Sequence, residues 1–82
     1  MYVYFITQKG KEKWKKNKPA PGDSIWHVFR SSRALWALRK QGISGGTAKH
    51  LSGWVEPMDV GATERALDGL VAKGFARRRK LT

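Results

Sequence analysis

The sequence predicts an α+β domain, mainly helical, with a short strand at each end of the chain. Three observations carry that expectation. The chain opens on Tyr2-Val3-Tyr4-Phe5-Ile6-Thr7, an aromatic and β-branched run that suits a strand. It closes on Phe75 to Thr82, which reads as a second strand with four consecutive basic side chains. Between them, apolar residues recur at helical spacing in three successive stretches. With 82 residues, one domain is expected and two would be cramped. A chain of this size buries roughly 60% of the surface its unfolded form exposes, enough for one modest core.

The elements follow in order. Thr7 can cap a helix, because its hydroxyl can accept an orphan N–H of the first turn. That helix spans Gln8 to Lys16, with Trp14 as its only large apolar anchor. Asn17 to Gly22 reads as a loop, since two prolines and a glycine break regular structure. Asp23 or Ser24 caps a helix over about 24–41, whose apolar face is Ile25, Val28, Phe29, Ser32, Leu35, Trp36 and Arg39. Gly42 supplies a left-handed stop. Ser44 caps a shorter helix through Ser52, held by Ala48 and Leu51. Trp54 to Met58 is a turn. Asp59 caps a third helix over about 60–73, with Thr63, Ala66, Leu67, Leu70 and Val71 facing inward. Gly74 ends it in the left-handed region. The chain thus divides into a strand plus basic helix (1–18), a linker (19–23), a three-helix core (24–74) and a basic strand (75–82).

Charge narrows the function. The net charge is +11, and it sits at the ends. Residues 1–18 carry six lysines and one glutamate, and residues 73–82 carry five cations and no acid. The 54 residues between them are nearly balanced, with six cations and five acids. Such blocks attract polyanions, nucleic acid before acidic membrane, unless they are only solvated tails.

Several classes drop out. The chain has no cysteine, which removes disulfides, thiolate zinc sites and a thiol nucleophile and fits a reducing compartment. The longest apolar run, Tyr2 to Ile6, is far short of a membrane span, and no secretory signal precedes it. A cytoplasmic, soluble protein is expected. Met1 and a plausible closed core read as a complete protein. His27 and His50 are the only histidines and lack partners at metal-ligand spacing. Gly45-Gly46 lacks the lysine and glycine spacing of a phosphate loop and reads as helix-entry backbone. No catalytic triad or carboxylate pair stands out, so no enzyme, cofactor or metal is expected.

The stretch Ala66-Leu-Asp-Gly-Leu-Val-Ala-Lys-Gly-Phe-Ala-Arg-Arg78 resembles the recognition helix and first wing strand of a winged helix-turn-helix domain. Tyr4-Phe-Ile-Thr-Gln-Lys-Gly-Lys-Glu-Lys-Trp14 is similar to the second wing strand and following helix of regulators of the multiple-antibiotic-resistance type. In that family this element follows the first wing strand; here it comes first. The resemblance implies a circularly permuted wing, or a wing strand contributed by a partner chain, with strand 2–7 paired to strand 75–81 and the two basic blocks on one side. It further implies that Ser44–Ser52 and Asp59–Lys73 form the helix-turn-helix.

What the resemblance implies for binding is duplex DNA, with the third helix in the major groove and a basic wing on the phosphates. Its exposed positions would be Gly61, Ala62, Glu64, Arg65 and Asp68. Arg65 is the best base reader, because guanidinium pairs bidentately with guanine. Glu64 would accept from cytosine or be taken up by charges within its own helix. Arg77, Arg78, Arg79, Lys80, Lys9, Lys11 and Lys13 would contact phosphate, with Thr47 and Lys49 on the preceding helix. Two acids and several small residues make the helix a poor sequence reader, so charge should dominate affinity. About six neutralised phosphates would give a log–log salt slope near −5.

Two other readings stand beside it: a winged-helix protein-interaction module, and an RNA-binding protein in which exposed aromatics matter more than groove fit. Trp36 reads as core. Trp26 and Trp54 are candidates for covering an interface. Trp14 either packs its helix onto the body, the commoner outcome, or stacks on a base. A homodimer would form through helix 24–41.

Overall fold

The computed structural model describes residues 1–18, 30–55 and 58–81. Among them are four α-helices and three strands, in the order β1 (Tyr2–Ile6), α1 (Gln8–Asn17), α2 (Arg30–Gln41), a 3₁₀ turn (Gly42–Ser44), β2 (Gly46–Thr47), α3 (Ala48–Ser52), α4 (Val60–Ala72) and β3 (Ala76–Lys80). The expected α+β, mainly α architecture is observed. The linker 19–23 and residues 24–29 of the expected second helix, with Trp26 and His27, lie outside the described residues, as do 56–57 and Thr82.

The two ends of the chain make the sheet. β1 and β3 run antiparallel within one chain, pairing Tyr2 with Lys80, Val3 with Arg79, Tyr4 with Arg78, Phe5 with Arg77 and Ile6 with Ala76. The backbone N–H of Thr7 donates to the Phe75 carbonyl at 3.1 Å and that of Leu81 to the Met1 carbonyl at 2.9 Å, which extends the ladder at both ends. β2 adds a short third strand on the other side of β1, giving the order β2-β1-β3.

Caps explain where α1 and α4 begin. Thr7 Oγ1 accepts from Gly10 N at 3.0 Å, and Asp59 Oδ1 accepts from Ala62 N at 2.7 Å. Each satisfies one of the donors a helix start leaves unpaired. Gly74 closes α4 at φ +82°, and Gly42 closes α2 at φ +69°, both as the sequence predicts.

The core gathers Leu35 and Leu38 of α2, Leu51 of α3, Leu67 and Leu70 of α4, Val55, Met58 and Tyr4 of β1. Trp14 and Phe75 pack against it from α1 and from the corner before β3. Trp36 does so too, but remains only half-buried. Thr63 is fully buried in α4, with its hydroxyl donating to the Asp59 carbonyl at 2.8 Å.

Two local expectations are corrected. The buried face of α2 is Ala34, Leu35, Ala37 and Leu38, with Arg33 beside them. Ser32 and Trp36 are half-buried and Arg39 is exposed, so the helix is rotated toward its alanines. Ser44 does not cap α3; it lies in the 3₁₀ turn, and Thr47 Oγ1 accepts from His50 N at 3.2 Å instead. The reason is β2, which holds Gly46 and Thr47 extended against Tyr4 and Val3 and delays the helix by three residues.

Among the described residues, no helix is long and apolar enough to cross a membrane.

Candidate nucleic-acid interface

The alternation of a strand divides the basic run of β3 between two faces. Arg77 and Arg79 stand opposite Phe5 and Val3, on the face turned away from the helices. Arg78 and Lys80 stand opposite Tyr4 and Tyr2, on the helix side, where Tyr4 is only 1% exposed.

From the corner at Phe75 to the outer face at Phe5, cations and rings follow one another. Lys9 and Lys13, one turn apart on α1, hold their ammonium groups 5.4 and 5.7 Å from the centre of the Phe75 ring. Arg77 and Arg79 lie 5.7 and 5.9 Å from the centre of the Phe5 ring. All four of these cationic residues are exposed, so their charged heads stay in water beside the rings. The two basic ends therefore meet, with Lys9, Lys13, Arg77 and Arg79 along one ridge. Among the described residues, none of these four forms an ion pair; the single ion pair joins Arg78 to Asp68.

Arg78 is used differently. Its guanidinium stacks 4.4 Å from the Tyr2 ring centre, and Nη1 donates to Asp68 Oδ1 at 2.8 Å. Tyr4 Oη donates to the same carboxylate oxygen at 2.7 Å. Burial, together with the bond to Asp68 and its negative charge, pushes the Tyr4 hydroxyl far above the usual tyrosine range. Arg78 and Asp68 are thus committed to tying β1 and β3 to α4, which corrects their expected place among free contact residues.

On α4, Gly61, Glu64 and Arg65 are exposed, as expected. Ala62 is not: it is 7% exposed and faces the core, because helical spacing puts it one turn from Ala66 and near the buried Thr63. Neither Glu64 nor Arg65 is in an ion pair among the described residues. Glu64 and Lys49 line one recess of about 200 Å³ together with Thr47, Val60, Met1 and Tyr2. α3, α4 and the open end of the sheet therefore converge there. Lys49 is exposed, whereas Thr47 is half-buried and its hydroxyl is occupied as the cap of α3. Lys80 is exposed at that same end. Lys11 is half-buried, and helical spacing puts it on the opposite side of α1 from Lys9 and Lys13. It does not join the ridge.

Sequence reasoning missed Phe5, the ring between the two arginines, and Ile43, which is 91% exposed beside it. The signal for Phe5 was available, since a buried Tyr4 sends its neighbours to the other face. Trp14 packs its helix onto the body under Arg39, whose guanidinium lies 5.2 Å from the ring centre. Trp54 is half-exposed and meets Trp36 edge-on at 6.3 Å. Among the described residues no group of three metal-ligating side chains exists.

No protein-family model, no curated protein and no solved structure matches the chain.

Proposed function

We propose that this chain is a small basic DNA-binding protein that grips duplex DNA with α4 in the major groove and the β1–β3 ribbon on the phosphates. It would be a winged helix whose second wing strand, β1, stands at the start of the chain. The observation that carries this reading is the cationic ridge: Lys9 and Lys13 beside Phe75 and Arg77 and Arg79 beside Phe5 come from opposite ends of the chain and have no acidic partner among the described residues. Phosphate attraction of this kind supplies affinity without reading sequence. Arg65 is the residue on α4 with the chemistry to read a base edge. With Gly61 and Glu64 as its exposed neighbours, that helix offers little else to read, and sequence preference is modest.

The exposed Glu64 would repel phosphate and so also favours a second reading, in which α4 docks a protein rather than DNA. Fluorescence anisotropy with a labelled mixed-sequence duplex separates the two. DNA binding predicts a log–log salt slope between about −4 and −5, reduced by about 0.9 for each ridge cation replaced by glutamine. No saturable binding to duplex at low salt would remove the DNA reading.

A further inference from the structure

The outer face of the sheet differs from an ordinary phosphate-binding ridge, because it carries apolar surface between its cations. Phe5 is half-buried, with one side of its ring against Gly45, where a Cβ would stand 2.7 Å from the ring's Cδ1. Ile43, at 91% exposure, projects beside it from the 3₁₀ turn. Together with Arg77, Arg78 and Arg79 these two residues line a recess of about 430 Å³. The flanking guanidinium groups do not seal the ring. Arg77 and Arg79 stand off at 5.7 and 5.9 Å, near the limit of a useful cation–ring contact, whereas Arg78 is closely stacked on Tyr2 at 4.4 Å.

We propose that this recess is a stacking site for an unpaired base of single-stranded DNA, with Phe5 and Ile43 as the platform and Arg77 and Arg79 holding the flanking phosphates. The chemistry required is a flat ring on an anionic chain. Flat aromatic surface is what Phe5 offers, and among the described residues the two arginines have no acidic partner. Stacking on an aromatic side chain is tolerant of base identity and adds to the electrostatic term. A buried duplex base pair has no such face to present, so this site distinguishes opened from closed DNA. The choice of DNA as the polymer rests on the proposed function; the stacking site itself does not use α4.

The test compares four probes on the full chain by anisotropy at moderate salt: a twelve-nucleotide oligothymidine, an abasic oligonucleotide of equal length and charge, an oligouridine RNA of the same length, and a twelve-base-pair duplex. The abasic strand is expected to bind at least about fivefold more weakly than oligothymidine. Phe5→Leu and, independently, Ile43→Ser should each narrow that gap, and Ile43→Ser should change duplex affinity less than about twofold. Ile43 is nearly fully exposed, so its replacement leaves the fold intact. Equal binding of the abasic strand, or a gap that survives both substitutions, would overturn the proposal. Tighter binding of oligouridine RNA than of oligothymidine would overturn the choice of polymer. If the duplex fails to bind while the abasic gap is present, the proposed function fails and the stacking site stands.

Discussion

Tyr4 and Asp68, 64 residues apart, are joined by a 2.7 Å hydrogen bond from the tyrosine hydroxyl to the carboxylate. That bond ties the first strand to the middle of α4. Arg78 of the last strand donates to the same oxygen, so one carboxylate unites both ends of the chain with the helix between them. The ridge of cations on the far side of the sheet depends on this clasp, because it fixes which side chains of β3 turn outward.

Removing the two partners should have unequal effects. In Asp68→Ala the Tyr4 hydroxyl, buried to 1% exposure, is left without its acceptor, and urea unfolding should show a loss of about 2 kcal/mol. In Tyr4→Phe the half-exposed carboxylate keeps Arg78 and can be hydrated, so the loss should be about 1 kcal/mol. Equal losses would show that the hydroxyl has another acceptor.

Alkaline pH should act through the same residue. The folded state holds the Tyr4 proton well above the ordinary tyrosine value of about 10, so between that pH and the folded value the native chain binds the extra proton. Stability contributed by Tyr4 is therefore complete below about pH 10 and falls as pH rises beyond it. Chemical denaturation followed from pH 9 to 11 should show this decline in the native protein and a shallower one in Tyr4→Phe.

Gly10 is the contact between α1 and the β3 corner. A Cβ there would collide with the Phe75 carbonyl and stand 2.8 Å from Ile6 Cγ1. Backbone cannot give way as a flexible side chain does. Gly10→Ala should cost about 2 kcal/mol or more by denaturant unfolding, despite the better helix propensity of alanine. Gly69→Ala, where a Cβ meets nothing within 4 Å, is the control and should be neutral or stabilising.

The arginines of β3 should separate in their effects. Replacing Arg77 and Arg79 by glutamine should lower the duplex salt slope by about 1.8 and leave thermal stability unchanged. Arg78→Gln should do the reverse in kind: it removes the ion pair to Asp68 and the stack on Tyr2, so melting temperature falls while the slope changes less. Equal effects of all three would mean that β3 is a uniform charged strip.

Much of this fold was legible because its signals are local. Thr7 and Asp59 announce helix starts, Gly74 a left-handed stop, and Leu67 and Leu70 a buried face. The pairing of the two end strands followed from the resemblance of their flanks to a wing. β2 was not legible, since a Gly-Thr pair has no strand pattern and becomes a strand only by lying against Tyr4 and Val3. The same hidden pairing displaced the cap of α3 from Ser44 to Thr47. Ala62 illustrates a different limit: alanine suits either side of a helix, and only the packing of α4 decides. The run Arg77-Arg78-Arg79-Lys80 reads as one block, yet the register of β3 against β1 divides it into free and committed charges. No composition argument could anticipate the Asp68 carboxylate beneath Arg78.

The central claim is that the joined ends of the chain, with α4, form one DNA-binding surface. It is tested most directly by an NMR amide titration with a short mixed-sequence duplex at low and moderate salt. The account predicts shifts concentrated in Phe75 to Lys80, Lys9 to Lys13 and the exposed turn of α4 around Gly61 to Arg65, persisting at moderate salt. Shifts confined to the lysine-rich α1 that vanish as salt is raised would contradict it, reducing binding to a generic attraction of one charged helix.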